Sequence, residues 1–129
     1  MSRTSTRFDF RKRVAYDPEA KRLFHRHAQR QLKAFAAALG LWDHQYDLRC
    51  HEAGPAVSGE SILHTDWLYV QVSQSSMGPD AGILFRSCEG RRDYIGGVNN
   101  FAPIDLLHRP AELANRIRLA GLASSRNSE

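Results

Sequence analysis

The chain has 129 residues, of which 42% are hydrophobic and 25% are charged, and its formal net charge at pH 7 is +4. This length fits one domain that can bury a core without disulfides or a metal, and this composition excludes a chain that is disordered throughout. No apolar run approaches the roughly 20 residues that cross a bilayer, so we expect no membrane span.

The two cysteines, Cys50 and Cys88, are too few for a disulfide scaffold, and both fall within predicted strands. A small buried thiol is the common outcome there, so we expect free thiols and a reducing compartment. The start of the chain is rich in Ser, Thr and Arg, as transit peptides are, but it lacks the apolar segment of a secretory signal and soon reaches Asp9 and Asp17. We therefore expect a bacterial, cytoplasmic protein.

Charge is distributed unevenly along the chain. Residues 1–33 hold ten Lys and Arg against three Asp and Glu, a balance of +7, whereas residues 34–129 hold eight against eleven, a balance of −3. All but three of the 18 basic residues are arginines. The planar fork of arginine suits phosphate or carboxylate better than the point charge of lysine does, although an excess of arginine can also reflect genome composition.

The basic segment 1–13 has two interpretations. Its second half is an edge strand if Phe8, Phe10, Val14 and Tyr16 share one face, since these four residues have the same parity. It is equally well explained as a mobile arm that becomes ordered on binding.

A long helix follows this segment. Asp17 is a suitable N-cap, Pro18 suits the first helical position, and the predicted helix runs to Leu39 with Gly40 as the residue that ends it. Helical periodicity predicts an inward face of Leu23, Phe24, Ala28, Gln31, Leu32, Phe35, Ala38 and Leu39. The opposite side carries four cations, here called the basic stripe, which are Arg22, Arg26, Arg30 and Lys33.

The middle of the chain is typical of an antiparallel sheet. Tyr46, Leu48 and Cys50 alternate with polar residues in a first strand, and SILHTDWLYVQVS (61–73) is the densest strand-like run. GILFRSC (82–88) and RRDYI (91–95) follow, so that 61–97 is predicted to form two consecutive hairpins. A two-residue turn at Glu89 and Gly90 would place Arg86 opposite Asp93, Phe85 opposite Tyr94 and Leu84 opposite Ile95.

Beyond this sheet we expect only helical structure. Residues 96–100, GGVNN, are predicted to end the sheet, and 102–107 to form a single helical turn. A last helix is predicted over Pro110–Ala120, with Leu113, Ile117 and Ala120 inward, and Gly121 ends it.

The sequence thus predicts an α+β fold: an antiparallel sheet of three to five strands in meander order, a long N-terminal helix and a shorter C-terminal helix. Residues 1–13 form the arm or edge strand, residues 14–121 a single α+β domain, and residues 122–129 a disordered tail. At least one helix is expected to pack on the sheet face that carries Leu68, Val70 and Phe85.

Motifs typical of enzymes or metal sites are absent. No Cys or His spacing matches a structural zinc site, so we expect no metal and no cofactor. Cys88 or Cys50 could combine with His64 and Asp66 in a nucleophilic site, but no nucleophile elbow or phosphate-binding glycine loop accompanies them. A binding protein is therefore favoured over an enzyme, with the chemical role of these residues left open.

Two binding hypotheses remain. The first is a nucleic-acid-binding or accessory protein that contacts DNA or RNA through Arg11, Arg13, Arg22, Arg26, Arg30, Lys33, Arg91 and Arg92. The second is a protein-interaction module, including a homodimer, that uses an aromatic sheet face formed by Trp67 and Tyr69 or the acidic segment 41–66. Against each stands a plain alternative: a solvated helix face explains most basic stripes, and most aromatic sheet faces are covered.

Overall fold

The computed structural model describes residues 8–14, 16–51, 58–74, 77–91, 93 and 96–122. Its elements confirm the α+β prediction, with a five-stranded antiparallel sheet in the meander order β1-β2-β3-β4-β5. The helices are α1 (Pro18–Ala38) and α2 (Pro110–Leu119), and the strands are β1 (Tyr46–His51), β2 (Glu60–Thr65), β3 (Leu68–Val72), β4 (Ile83–Ser87) and β5 (Asn100–Ala102). Neither helix in the described ranges has the length and apolar character needed to traverse a bilayer.

The ends of α1 follow the capping pattern read from the sequence. The Asp17 side chain accepts a hydrogen bond from the backbone N–H of Ala20 at 3.1 Å, and Pro18 occupies the first turn. At the other end the N–H of Gly40 donates to Ala37 O and the N–H of Leu41 to Ala36 O, a Schellman motif. Gly40 has a φ of +81°, which a side chain would disfavour. The helix ends one residue earlier than predicted, because Leu39 acts as the C-cap.

The inner face of α1 packs on the sheet and is narrower than predicted. Leu23, predicted to point inward, is 37% exposed. His25, absent from the predicted inner face, is buried. The buried residues of this helix are Phe24, His25, Ala28, Leu32, Phe35 and Ala36. They meet the sheet face that carries Leu63, Val70 and Phe85, so the predicted helix-covered face is confirmed.

The densest strand-like run is not one strand but two. The chain turns at Asp66 and Trp67, which places His64 opposite Tyr69 and Leu63 opposite Val70. The hydroxyl of Thr65 accepts hydrogen bonds from the backbone N–H groups of Trp67 at 3.0 Å and Leu68 at 2.8 Å, and so stabilises the turn. A threonine in a β-rich run gives no sign of this turn, which is why periodicity alone missed it.

The predicted register after β4 is wrong. Phe85 lies opposite Asn100 and Leu84 opposite Phe101, because β5 takes the position assigned to 91–95. A turn at Glu89 and Gly90 does not form: the N–H of Asp93 donates to Gly90 O at 3.1 Å instead. The Asp93 carboxylate also accepts from the N–H groups of Glu89 and Gly96, at 2.8 and 3.0 Å. Arg92, Tyr94 and Ile95 lie outside the described residues.

The described part of the N-terminal segment, 8–14, is a packed turn and not an edge strand. Phe10 and Val14 are buried in the core, and the Phe10 and Phe24 rings meet edge to face at 5.8 Å. The Gln74 side chain holds the segment, because its amide nitrogen donates to Phe10 O at 3.0 Å and its oxygen accepts from the N–H of Val14 at 3.2 Å. Tyr16, predicted to share the buried face, is fully exposed.

The C-terminal helix completes the layer that covers the sheet. Leu113 and Ile117 of α2 are buried as predicted, whereas Ala120 lies beyond the helix and is exposed. Arg118 of α2 donates to Ala38 O at the end of α1 at 2.9 Å, and the Gln31 side chain of α1 donates to Leu107 O in the helical turn that precedes α2.

A matched pair of leucines on α1 tests this packing. Leu32→Ala should lower the free energy of unfolding by about 2–5 kcal/mol, because it leaves a cavity at a fully buried site. Leu23→Ala, nine residues earlier on the partly exposed side, should cost less than about 1 kcal/mol. Urea denaturation measures both values, and equal losses would contradict the observed rotation of the helix.

Candidate nucleic-acid interface

The basic stripe lies on the side of α1 that faces away from the sheet. All four of its residues are exposed, at spacings of four, four and three that keep them within roughly 80° of one another around the helix. From the first to the last the stripe extends about 16 Å along the helix axis. The only acidic residue of α1 is Glu19 in the first turn. The outer surface of this helix is therefore positively charged over most of its length.

Several cations elsewhere in the fold have carboxylate partners, which the stripe residues lack among the residues that the structure describes. Arg11, Arg91 and Arg109 each lie within 3.4 Å of an aspartate or glutamate oxygen. Within the described ranges, no stripe residue forms an ion pair. The stripe thus combines exposure with uncompensated charge.

The positive charge of the stripe affects the pKa of a neighbouring histidine, His27. His27 is half-buried and stacks on Phe8, with ring centroids 4.4 Å apart. Burial lowers the pKa of His27, and the positive charges of Arg30 and Arg26 lower it further. An added proton next to the stripe is disfavoured, whereas an anion there would be favoured.

Two arginines proposed for the interface, Arg11 and Arg91, bond to other parts of the same chain. Arg11 donates to Asp105 at 2.7 Å and to Asp80 at 3.1 Å, and these bonds raise its pKa, with the bond to Asp105 first. Arg91 donates to Asp66 and Asp47 at 3.2 and 3.4 Å, and to the carbonyl of His44 at 2.7 Å. Of the other two residues predicted outside the helix, Arg13 is exposed and Arg92 lies outside the described residues.

The aromatic pair predicted to bind a partner does not form one surface. Tyr69 is only 5% exposed. Its ring lies 3.9 Å from the Arg86 guanidinium and 5.1 Å edge-on from the His64 ring. Trp67 lies in the turn after β2, where it packs against the hydrophobic core. Tyr69 is therefore not exposed for stacking, and the binding role predicted for the pair stays a prediction.

Asp47, His64, Tyr69 and Arg86 lie side by side across the second face of the sheet, away from the helices. The chain after β4 approaches this row closely. A Cβ atom built on Gly96 would lie 2.3 Å from the carbonyl oxygen of Ser87 and 2.6 Å from Arg86 Nε. Gly96 also has a φ of +58°, so glycine satisfies two constraints here. Gly96 and Gly97, which the sequence suggested as the end of the sheet, pack closely against β4.

The residues considered for nucleophilic chemistry are not assembled into a site. The Cys88 thiol is buried and donates to Thr65 O at 3.4 Å, and burial raises its pKa, which disfavours the reactive thiolate. Cys50 is exposed on β1, away from His64, which is buried under the second face. Among the described residues, no cluster of three or more His, Cys, Asp or Glu side chains could hold a metal ion.

Sequence reasoning missed a buried polar link between α1 and β2. His25 Nε2 donates to Ser58 O at 2.6 Å, and His25 Nδ1 lies 2.6 Å from the Ser61 hydroxyl. Both serines are fully buried, so the pair joins the helix to the sheet and is not accessible to a substrate. A signal was present: His25 lies seven residues before Leu32, which places both on one helix face.

Acid should destabilise the protein through His64. Arg49 Nη2 donates to His64 Nδ1 at 2.8 Å, which requires a neutral ring. Burial lowers the pKa of His64, and Arg49 and Arg86 lower it further, against a raising hydrogen bond with the Gly90 backbone. Below about pH 6.5 the unfolded chain therefore binds more protons, and stability should fall by up to about 1.4 kcal/mol per pH unit from this residue until the folded pKa is reached.

Urea denaturation of the wild type and His64→Gln at pH values from neutral to mildly acidic measures this dependence. The variant should keep only the contribution of other groups, including His27, and an unchanged slope would contradict the assignment.

Glycine at position 96 can be tested against glycine at position 90. Gly96→Ala should lower the free energy of unfolding by at least about 2 kcal/mol, because it combines a left-handed backbone with a backbone clash. A Cβ on Gly90, in the same loop, would have no neighbour within 4 Å, so Gly90→Ala should be nearly neutral. Thermal melting of both variants measures the two effects. A large loss for Gly96→Ala alone indicates close packing at that residue, whereas equal losses would indicate that the loop tolerates no substitution of glycine.

Comparison with known proteins adds no functional information about these residues. The chain matches no known protein family, no curated protein and no solved structure. The case for a function therefore rests on the exposed, uncompensated cations of α1.

Proposed function

We propose that this protein binds the sugar–phosphate backbone of nucleic acid through Arg22, Arg26, Arg30 and Lys33. One observation carries the proposal: these four cations are exposed on one side of a rigid helix without carboxylate partners in the described part of the chain. Arg11, Arg91 and Arg109, in contrast, are paired with aspartates or a glutamate.

The chemistry and spacing of the stripe suit a repeating anion. Successive residues lie about 4.5–6 Å apart along the helix axis, so the stripe spans several of the phosphates, which repeat every ~3.4 Å along the axis of a duplex strand. Three of the four are arginines, whose planar fork can donate two parallel hydrogen bonds to one phosphate. These contacts position a backbone and do not read bases, so the proposed binding is independent of sequence.

Because the stripe lies on a fixed helix, it should bind phosphates at a lower entropic cost than a mobile basic tail would. The opposite side of α1 is buried against the sheet, so the orientation of the four Cα–Cβ bonds is fixed before any ligand arrives. Less conformational entropy is lost on binding than with a disordered basic segment, although the long side chains still lose rotamer freedom.

Fluorescence anisotropy with short labelled DNA, both duplex and single-stranded, tests the proposal. We expect dissociation constants in the range of about 1–100 μM that weaken steeply between about 50 and 200 mM salt. Arg26→Ala combined with Arg30→Ala should weaken binding and reduce the log–log salt slope on duplex DNA by about 2, since each lost phosphate contact removes about 0.9.

A control variant removes the same charge from another helix. Arg109→Ala combined with Arg116→Ala removes two exposed arginines, the N-cap of α2 and one residue within it, so it lowers the net charge equally and leaves the stripe intact. The control should keep most of the affinity and the slope. Equal weakening by both variants would show that net charge alone drives binding, and no binding at low salt would reject the proposal.

A further inference from the structure

The two edges of the sheet are unequal. β5 is a three-residue strand followed directly by Pro103, which has no N–H to offer a neighbouring strand. β1 has six residues, and none of them is Pro, Gly or Lys. Within the described ranges, β2 is the only strand that pairs with β1. An edge of this kind can pair with a strand of another chain, and natural proteins usually block it.

The sequence of β1 is complementary to itself about Leu48. If two copies pair antiparallel with Leu48 opposite Leu48, then Asp47 of each copy lies opposite Arg49 of the other. Tyr46 then lies opposite Cys50. Opposite charges across a strand pair stabilise it, and five consecutive residues of each copy would lie opposite residues of the other.

Neighbouring registers lack this complementarity. Centring the pair on Asp47 places two aspartates opposite each other, and centring it on Arg49 does the same with two arginines. A shift by a single residue would bring side chains of opposite faces together, which a continuous sheet does not allow. The charges of β1 therefore disfavour the registers centred on Asp47 and Arg49, and the alternation of faces disfavours a shift by one residue.

We propose that the outer edge of β1 is the interface of a homodimer, in which two copies join their sheets antiparallel with Leu48 opposite Leu48. Asp47 already lies 3.4 Å from Arg91 Nη1 of its own copy. A pair between Asp47 of one copy and Arg49 of the other would therefore extend an existing group of charged side chains. The interface stands on β1 alone and does not depend on nucleic-acid binding.

The symmetry of this arrangement has a consequence for the helices. In such a pair the twofold axis is perpendicular to the sheet, so both copies keep their helices on the same side of the ten strands. The basic stripes of both α1 helices would then lie on one surface of the dimer. This arrangement connects the dimer to the proposed function. If the protein did not bind nucleic acid, the proposal of a dimer interface at β1 would still stand.

Mass in solution is the first test. Light scattering coupled to size exclusion should give about twice the chain mass of 14.6 kDa, in the absence of nucleic acid. A mass of one chain at every accessible concentration would overturn the proposal. Binding to DNA by such a monomer would leave the proposed function in place, so the two failures are distinguishable.

Disulfide trapping tests the register, in a background where Cys50→Ser removes the exposed thiol. Leu48→Cys places two thiols directly opposite, with Cα atoms about 4.5–5.5 Å apart, so a covalent dimer should form on mild oxidation. His51→Cys lies on the same strand but about 20 Å from its copy, so it should not cross-link. Equal cross-linking of both, or of neither in a dimeric protein, would overturn the register.

Charge reversal tests the complementarity. Asp47→Arg should raise the dimer dissociation constant about tenfold, because it creates two like-charge pairs across the interface. Adding Arg49→Asp to it should restore most of the lost affinity. Failure of the double variant to recover, with thermal melting showing that it is folded, would contradict the proposed pairing.

Discussion

The rotation of α1 about its own axis is the constraint on which the rest of the molecule depends. Phe24 and Leu32 are buried against the sheet, and His25 is bonded to the Ser58 carbonyl and the Ser61 hydroxyl. Close-packed apolar contacts fix the helix by shape, and the directed bonds of a buried histidine add a specific geometric requirement to its orientation. The same orientation that seats these residues turns the basic stripe to the solvent.

The two faces of the sheet are buried by different means. The face under the helices is mainly apolar, and its buried polar groups have hydrogen-bond partners, as Ser61 has in α1 and Thr65 has in the turn after β2. The second face buries a row of polar and charged side chains, in which Arg86 stacks on Tyr69 and Arg49 donates to His64. Polar and charged side chains can be buried without a large cost only when they have hydrogen-bond or ion-pair partners. This face therefore specifies which side chains meet more than it adds to the stability of the fold. The free energy for holding the fold together comes mainly from the helix side.

Much of the fold follows from local signals, and the remainder depends on contacts between distant residues. Asp17, Pro18 and Gly40 mark the ends of α1 because capping chemistry acts within a few residues. The turn between β2 and β3 depends on one hydroxyl, and β5 depends on space beside β4, neither of which has a sequence period. Of the candidate interface, the stripe was predictable from helical spacing. The ion pairs of Arg11 and Arg91 join residues far apart in the chain, so the sequence could not separate these arginines from exposed ones.

The segment 8–14 is attached by two kinds of bond that respond differently to ionic strength. Arg11 holds it through exposed ion pairs with Asp80 and Asp105, which dissolved salt screens. Gln74 holds it through an uncharged amide bonded to the backbone of Phe10, Lys12 and Val14, and these bonds carry no net charge to screen. The hydrophobic contacts of Phe10 strengthen, if anything, in salts that are excluded from protein surfaces. The beginning of the described chain should therefore stay docked at salt concentrations that neutralise the outer surface of α1.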